Sequence, residues 1–473
     1  MTSDPAKAPP PAEGAQTKAK AAGGFAIFVA AGILLSRIAG LIRQRVFAHY
    51  FGNSLATGAF VAALRIPNAL QNLFGEGVLS ASFIPVYAKL LAEGREEMAG
   101  RVAGVFATIL ALFITLLVIL GVLFTPLLVT VIAPGFEGEA RELTIRIVRI
   151  LFPGMGLLVM SAWCLGILNS HRKFFISYVA PVLWNMAMIA TMVTFGARMT
   201  QSSLAIALAW GTVVGCVLQF GVQVPFVYHY ARNIRFGIDR ALEPVREIFR
   251  NMFPVVFGRG VVQISAFVDE AIASLLGPIA LGSVGFAATI YLLPISLFGM
   301  SVAASELPQM SSALGTTEDI AAAVRKRLEA GLRQIAFFIV PTTVAFLLIG
   351  RFFVGALYQT GEFGSADTLF VWYILAGFSV GLFAVTLARL YSSAFYALRD
   401  TRTPLRFAIV RVLLGAALAF LFAFPLRPWI VWIITELFGM PLPAVENPAV
   451  SIGAVGLALG AGCASWVEFV LLR

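Results

Sequence analysis

The sequence predicts an all-α polytopic membrane protein, with twelve transmembrane helices in two pseudo-symmetric six-helix lobes around a central cavity. Three observations support this prediction. The composition is 59% hydrophobic and only 12% charged, with a mean hydropathy of +0.90, and uncharged stretches of membrane-spanning length recur along the chain. Lysines and arginines concentrate in alternate connections between these stretches. Matching segments also recur about 227 residues apart.

The apolar stretches define the predicted spans, which follow a polar tail. Residues 1–23 are rich in proline, alanine and lysine, so we expect a disordered tail and not a secretory signal peptide. Backbone groups inside lipid must be paired within their own segment, and no stretch alternates like a barrel strand, so the spans are predicted to be helices. Trp429–Met440 is too short to span and is expected at the membrane interface or in a loop. The spans cover residues 24–50, 54–90 (bent at Pro67 or at Gly75–Gly77), 102–132, 142–170, 174–198, 203–230, 245–276, 279–314, 327–357, 366–397, 404–425 and 449–472.

The distribution of basic residues sets the predicted orientation. The tail and the connections after the second, fourth, sixth, eighth and tenth spans hold most of the lysines and arginines. The opposite connections hold little more than four arginines: Arg141, Arg198, Arg351 and Arg427. By the positive-inside rule, the N-terminus therefore lies in the cytoplasm, and an even number of spans returns the C-terminus to the same side.

An internal repeat divides the spans into two halves. FGNSLATGAFVAALRIP at residues 51–67 resembles LGPIALGSVGFAATIYLLP at residues 276–294. Each segment is a short outer turn that contains glycine, followed by a helix that reaches a proline. Because an even number of helices per half preserves orientation, residues 24–231 and 232–473 are predicted to form parallel lobes with the ligand site between them.

Several function classes are excluded by what the sequence lacks. There is no Walker-type phosphate loop, no metalloprotease HExxH and no CxxC pair, so we expect no enzyme activity, no cofactor and no metal site. The net charge of +10 follows from the cytoplasmic loops, and no basic domain stands apart that would bind nucleic acid. A transport cycle would then draw on an ion gradient, the membrane potential or the substrate gradient.

The stretch Ser36–Pro85 is the main exception to the apolar pattern. A charge at the bilayer centre costs about 2.5–3.5 kcal/mol, so charged residues in spans usually face a cavity or one another. This stretch is therefore predicted to line a transport path, although Arg45 and Arg65 could instead reach a headgroup layer. Its charged residues are Arg37, Arg43, Arg45, Arg65 and Glu76.

Three arginines are the leading candidates for ligand binding. Arg37 and Arg43 are six residues apart, so their directions differ by about 120° and they can flank one cavity. Arg259 lies on the first helix of the second half, in a position that corresponds to Arg37. Guanidinium groups bind phosphate oxygens in pairs and keep their charge, so convergent arginines suit a diphosphate. The plainer alternative for each is snorkelling to the interface or a structural ion pair.

Four acids also lie in or beside apolar runs: Glu76, Asp269, Glu270 and Glu306. An acid in a dry helix can bind a proton or Na⁺. It can also pair with Arg37 or Arg259 and keep the empty cavity neutral, which is the interpretation we favour.

The opening stretch resembles the MurJ/MviN lipid II flippases, members of the multidrug/oligosaccharidyl-lipid/polysaccharide exporter superfamily. The resemblance lies in SRIAGLIR, RIPN and FGEGVLSASFIPV, and continues through LPISLFGMSVAASELPQMS at residues 293–311 and the RDTRTP turn at residues 399–404. It implies a V-shaped twelve-helix core in a bacterial inner membrane that exports the undecaprenyl-diphosphate-linked peptidoglycan precursor.

The resemblance also implies site residues. Ser36, Arg37, Arg43 and Asn68 match positions that line the cationic cavity of the family, and Glu76 matches its FxEG turn. The chain departs from the pattern at positions where the family carries charge: Gln44, Gly58, Gln71 and the region around Ala288, Thr289 and Leu292. We expect Arg259, Asp269 and Glu270 to supply the displaced charge.

These inferences favour a lipid II flippase that works by alternating access. Its predicted partners are lipid II, the surrounding membrane lipids and cell-wall synthesis proteins. An ion-coupled multidrug or polysaccharide-lipid exporter is the alternative, and a non-transporting scaffold of cell-wall assembly is a third. Some family members carry two further helices that form a lipid-tail groove. Since the sequence ends at Arg473, after the twelfth predicted span, we expect either that these helices are absent or that the sequence is part of a longer one.

Overall fold

A computed structural model describes residues 13–239, 242–311, 317–398, 400–444 and 448–473. Within these residues the chain is helical, and the only β-type pairing is an isolated bridge between Thr360 and Phe363. The helices of the first half are α1 (Glu13–Phe51), α2 (Leu55–Phe74), α3 (Glu76–Ala92), α4 (Glu96–Leu123), α5 (Thr125–Ile132), α6 (Gly138–Ser170), α7 (Phe174–Phe195) and α8 (Gln201–Tyr230).

The second half is also helical and includes two short π-helical segments. These segments, Ile295–Gly299 and Ile433–Leu437, follow α10 and α15 respectively. The helices are α9 (Glu243–Ser274), α10 (Pro278–Pro294), α11 (Met300–Ser311), α12 (Thr317–Tyr358), α13 (Ser365–Ala397), α14 (Arg402–Ala423), α15 (Arg427–Trp432), α16 (Pro448–Ser451) and α17 (Gly453–Leu472).

Three of the predicted spans are divided. The second is broken at Gly75, between α2 and α3, whereas Pro67 lies within α2 without ending it. The third is divided near Phe124, between α4 and α5, and the eighth is α10 and α11 joined by a π-helical turn. Counted this way, the described helices form the twelve spans that the sequence predicts.

Two segments lie outside the predicted spans: the N-terminal tail and the short apolar piece after α14. Helix α1 begins at Glu13, so residues 13–23 are helical where a disordered tail was expected; residues 1–12 lie outside the described part. Alanine, lysine and glutamine in this segment are strong helix formers, and they extend the first span. Helix α15 and the π-helical turn after it form a short element between α14 and α17, with Trp429 and Trp432 exposed, as expected for an interfacial segment.

Most of the predicted site charges lie outside the described helices that are long and apolar enough to cross a membrane. Nine described segments are long and apolar enough to cross a membrane: α4, α6, α7, α8, α10 with α11, α12, α13, α14 and α17. Helices α2, α3 and α9 are not among them, and they carry Arg65, Glu76, Arg259, Asp269 and Glu270. Since charge is tolerated in a membrane only where it faces a cavity or a partner, these helices are expected at the centre of the molecule.

The packing places them there. In the first half α6 packs against α2, α3, α4 and α8, and α7 against α1 and α8; in the second half α13 packs against α10, α11, α12 and α17, and α17 also against α14. The two halves meet mainly through α2 against α10 and α3 against α9. The domain boundary that the repeat predicts falls between α8 and α9, and these bounds of the two lobes stay a prediction.

At one end of the molecule the two halves are joined by close backbone contacts. A Cβ atom at Gly58 of α2 would overlap the backbone of Pro278 at the start of α10, so only glycine allows these helices to approach so closely. This contact explains why the acid that the family resemblance leads us to expect at position 58 is absent. In the predicted orientation, this end faces away from the cytoplasm.

The end of α1 completes the closure. Arg45 Nη1 donates to the carbonyls of Ala356 at 2.6 Å and Leu357 at 3.1 Å, in the last turn of α12. A cation there satisfies terminal carbonyls and the helix dipole. His49 Nδ1 lies 2.9 Å from Thr360 Oγ1. Arg45 is therefore a link between the halves, and the expectation that it reaches a cavity or a headgroup layer stays a prediction.

Candidate functional site

The central cavity has two adjoining compartments. The first, here called the arginine compartment, has a volume of about 230 Å³, and its polar lining residues are Arg43, Gln44, Arg65, Asn68 and Thr289. The second, here called the acidic compartment, has a volume of about 220 Å³, and its polar lining residues are Arg65, Asp269, Glu270 and Tyr291. They share the lining residues Val61, Arg65, Gly285, Ala288 and Leu292. The side chain of Arg65 thus stands between them.

Helix α2 presents one face to both compartments. Val61, Leu64, Arg65 and Asn68 recur at spacings of three and four, which places them along one stripe of a helix. The opposite wall is α10, where small residues at Gly282, Gly285 and Ala288 leave room for the cavity. A polar stripe facing small residues produces an open space in a region where side chains would otherwise interlock.

Arg43 is held at the edge of the arginine compartment by α7. Its Nη1 lies 3.6 Å from Met188 Sδ, and its guanidinium carbon lies 5.0 Å from the ring centroid of Trp184, one turn away on the same helix. Its Nε is buried and has no hydrogen-bond partner. Within the described chain, Arg43 takes part in no ion pair within 4 Å. It is therefore a positioned cation with donor capacity left for a ligand.

The same compartment contains a neutral contact between the halves. Gln44 Nε2 lies 3.5 Å from Thr289 Oγ1, which itself donates to the carbonyl of Gly285. Both residues stand where the family resemblance predicts charge. The chain has thus lost charge on both sides of one contact, and a polar pair remains.

An ion pair between the halves separates the two compartments. Arg65 Nε on α2 lies 3.3 Å from Glu270 Oε2 on α9, and the exposed fractions of the two side chains are 49% and 6%. We expected the acids to pair with Arg37 or Arg259. For Glu270 that expectation is wrong, because the packing of α9 against α2 brings Arg65 beside it.

Asp269, the neighbour of Glu270, also lines the acidic compartment. In the described part of the chain it forms no ion pair within 4 Å, and the cations whose fields reach it most strongly are Arg411 and Arg65. Arg411 is already paired, with its Nε 3.1 Å from Glu468 Oε2. The carboxylate of Asp269 therefore has no cation of its own.

Comparison with known proteins identifies the family. A sequence model of the family described as lipid II flippase MurJ matches residues 47–431. The chain belongs to the MurJ lipid II flippase family. A probable lipid II flippase MurJ from Rhizobium tropici is 32% identical over 407 residues, 84% of this chain and 74% of that protein. The lipid II flippase MurJ of Burkholderia cenocepacia is 30% identical over 382 residues, 80% of this chain and 73% of that protein.

Solved structures agree on the fold. A lipid II flippase MurJ in an inward closed conformation matches with a TM-score of 0.74 at 24% identity, over 94% of this chain and 86% of that one. An inward-facing multidrug resistance transporter of the MATE family matches with a TM-score of 0.71 at 18% identity, over 93% of this chain and 94% of that one. The predicted fold class, a two-lobed helical membrane transporter fold, is therefore confirmed.

The residues that match the MurJ motifs do not all lie together. Arg43 and Asn68 line the arginine compartment. Arg37 is exposed, and its Nη1 donates to Ser296 Oγ at 2.9 Å, in the π-helical turn after α10. Ser36 is half-buried next to it. Neither Ser36 nor Arg37 lines the arginine compartment.

Arg259 lies at the break between α2 and α3. Its Nη1 donates to the carbonyl of Asn72 at 3.2 Å, and its guanidinium occupies the space that a Cβ atom on Gly77 would fill. Asn72 Nδ2 in turn donates to Gln263 Oε1 at 3.0 Å. Arg259 therefore joins the halves near Glu76 and is not among the residues lining the arginine compartment.

Glu306 is the remaining predicted site residue. It lies on α11, is buried, and its Oε2 has no hydrogen-bond partner. It lines neither compartment.

Sequence reasoning ranked Arg65 too low and did not consider Trp184 or Met188. The spacing of Arg65 and Asn68 on one face of α2 could have raised Arg65. Nothing local to α7 marks Trp184 or Met188, since apolar residues one turn apart occur along most of this sequence.

Proposed function

We propose that this protein moves lipid II from the cytoplasmic to the periplasmic leaflet of a bacterial inner membrane by alternating access. The observation that carries the proposal is the arginine compartment, where Arg43 is held in place and has an unused donor. Membership of the MurJ family supplies the substrate class, since the relatives are named for lipid II.

The diphosphate of the substrate would bind between Arg43 and Arg65. Guanidinium groups form paired hydrogen bonds with phosphate oxygens, and a low local dielectric strengthens them. The amides of Asn68 and Gln44 then face the sugars next to the diphosphate. The prenyl tail stays in lipid, because its apolar surface gains nothing from entering a polar cavity.

The closed end of the molecule indicates the direction of entry. Gly58 against Pro278 and Arg45 against the end of α12 join the halves on the side that the charge distribution assigns to the periplasm. A headgroup would therefore enter from the cytoplasmic side, where Arg37 and Arg259 are exposed. We propose that these two arginines guide the headgroup inward and that the N-terminus lies in the cytoplasm. Association with cell-wall synthesis proteins stays a prediction.

An ion-coupled exporter of organic cations is the second candidate. The acidic compartment, with Asp269 and Glu270, is the observation that favours it. Arg43 in the adjoining arginine compartment disfavours it, because a cationic drug brings no anion to pair with that guanidinium group. On either proposal the chain transports and changes no covalent bond.

The experiment that separates these functions measures which leaflet holds lipid II. In cells depleted of their own flippase, the wild-type chain should keep lipid II accessible to a membrane-impermeant enzyme that degrades it. Arg43→Ala should leave the lipid inside. Arg95→Ala is the matched control, since Arg95 is exposed and, among the described residues, forms an ion pair only with nearby Glu93, a surface contact of little energetic weight. Drug sensitivity with normal lipid II distribution would instead support the exporter.

A further inference from the structure

The charges of the acidic compartment do not balance. Its wall holds two carboxylates, Asp269 and Glu270, and one guanidinium, Arg65. Arg65 lies against Glu270 and also faces the arginine compartment, so it is shared. Asp269 has no ion pair within 4 Å among the described residues. A carboxylate without an ion-pair partner in a mostly apolar cavity wall is costly, which makes this space suited to a cation.

Glu270 provides independent support. It is 7% exposed, and only Oε2 contacts Arg65, whereas Oε1 is buried with no hydrogen-bond partner. Buried polar atoms are normally satisfied, so this unpaired oxygen, on a residue that lines the compartment, is free to accept a hydrogen bond from a ligand. An ammonium group carries both the charge that Asp269 lacks and the donors that Glu270 Oε1 lacks.

The size and lining of the compartment narrow the ligand further. A volume of about 220 Å³ holds roughly seven waters at about 30 Å³ each, which is room for one amino-acid side chain. Most of the remaining wall is apolar, including Val284, Phe378 and Leu457. An apolar wall that ends in carboxylates suits a methylene chain with a terminal ammonium.

The two compartments share Arg65, so one ligand can occupy both. We propose that the acidic compartment binds an ammonium group on the peptide part of the substrate while the diphosphate lies in the arginine compartment. This inference rests on the proposed function and adds a specificity determinant to it. Asp269 provides the charge and Glu270 Oε1 accepts a hydrogen bond. A peptide whose amine is blocked would leave the Asp269 carboxylate and Glu270 Oε1 without a partner. Sites built to bind a polar group discriminate strongly against ligands that lack it.

The test compares three lipids on the purified full chain in detergent. One is lipid II with a free side-chain ammonium on its peptide, the second is the same lipid acetylated at that nitrogen, and the third is undecaprenyl diphosphate without sugar or peptide. Wild type should bind the free amine at least about tenfold more tightly than the acetylated lipid. Asp269→Asn should bring the two affinities within about threefold and leave that for undecaprenyl diphosphate unchanged. Glu329→Gln is the control, because Glu329 is exposed and pairs only with Arg325.

Each other outcome overturns the proposal in a recognisable way. Equal wild-type affinity for the amine and its acetylated form, or a preference that survives Asp269→Asn, would contradict the ammonium site. If Na⁺ at constant ionic strength changes the affinity of both lipids equally and acetylation has no effect, the compartment is an inorganic cation site. If none of the three lipids binds, the proposed function itself fails.

Discussion

Arg43 and Arg65 contribute the same charge in different ways. Arg43 is held by a ring face and a sulfur atom, contacts that position a planar group without neutralising it. Arg65 is half exposed and already shared with Glu270. In the proposed binding mode, Arg43 is therefore the fixed half of the diphosphate site, and Arg65 is the half that must change partners.

The first prediction follows from the geometry of Arg43. Arg43→Lys keeps the charge but loses the planar fork and its stacking on Trp184, so we expect lipid II export to fall at least about tenfold. Trp184→Phe keeps a ring face over the guanidinium and should export normally. Export is measured as lipid II accessible at the outer leaflet. Full activity of Arg43→Lys would show that charge alone suffices.

The second prediction concerns Arg259 and Gly77. Gly77→Ala places a methyl group where the Arg259 guanidinium lies, and the flexible arginine must move. We expect export to fall to the level of Arg259→Ala while the thermal stability in detergent stays close to wild type. Gly221→Ala is the control, because nothing lies within 4 Å of its added Cβ. If Arg259→Ala exports normally while Arg37→Ala abolishes export, Arg259 does not compensate for the lost charges.

At the scale of elements, α2 forms a close helix contact at its start and a cavity wall two turns later. Its first turns, around Thr57 and Gly58, pack against α10 with almost no space between the backbones. Two turns later, the same pair of helices encloses the cavity beside Arg65. A close contact next to an open space gives the two halves a point about which they can tilt, because packed helices shift as rigid bodies.

The third prediction tests that contact. Gly58→Leu would force α2 and α10 apart and should open the closed end. Ser283 of α10 is fully buried, and a cysteine there, in a Cys463→Ser background, should react with a membrane-impermeant thiol reagent only when Gly58 is replaced. Gly221→Leu is the matched control, since the space beside it is open. Equal labelling in both variants would contradict a seal at Gly58.

A separate cluster joins three helices at the cytoplasmic end predicted from the basic loops. His171, after α6, has Nε2 3.0 Å from the hydroxyl of Tyr87 on α3, and its ring lies against Tyr230 of α8. Burial lowers the pKa of His171 below its ordinary value of 6.5, and the carboxylate of Glu96 opposes this change. The neutral ring is thus the form that the folded protein prefers.

The fourth prediction follows from the sign of that shift. Protonation of His171 favours the unfolded state, so its contribution to stability is present above about pH 6.5 and is lost as the pH falls through the lowered pKa. The melting temperature in detergent should therefore fall more between pH 7.5 and pH 5 for wild type than for His171→Asn. An identical pH dependence of the two proteins would assign the acid sensitivity to other groups.

At the scale of the whole molecule, the sequence indicated several helices of the central cavity but not which charged residues pair with one another. Charges in apolar helices pointed to α1, α2 and α9, which line the two compartments, because an ionised group in lipid has few other places to be. They did not point to α10, whose small uncharged residues form the opposite wall. The partner of Glu270 could not be predicted, since it depends on how far α2 and α9 slide past one another. Arg65 and Asn68 lie one turn apart on α2, so which of them lies beside Glu270 depends on that relative position of the two helices. The same limit applies to Arg45, whose partners lie 311 and 312 residues away.

The ion pair between Arg65 and Glu270 has one further consequence. In the empty protein, the carboxylate of Glu270 pairs with the guanidinium of Arg65, which the proposed substrate also needs. The protein therefore contains an anion that can exchange with the substrate. In the proposed binding mode, an arriving diphosphate displaces the carboxylate from Arg65, and the carboxylate displaces the diphosphate again at release. Glu270→Gln should therefore bind undecaprenyl diphosphate more tightly yet export lipid II more slowly, a combination visible by comparing equilibrium binding with export. The transport path would then contain an anion-exchange site, at which the exchanging counter-ion of Arg65 is a side chain of the protein itself.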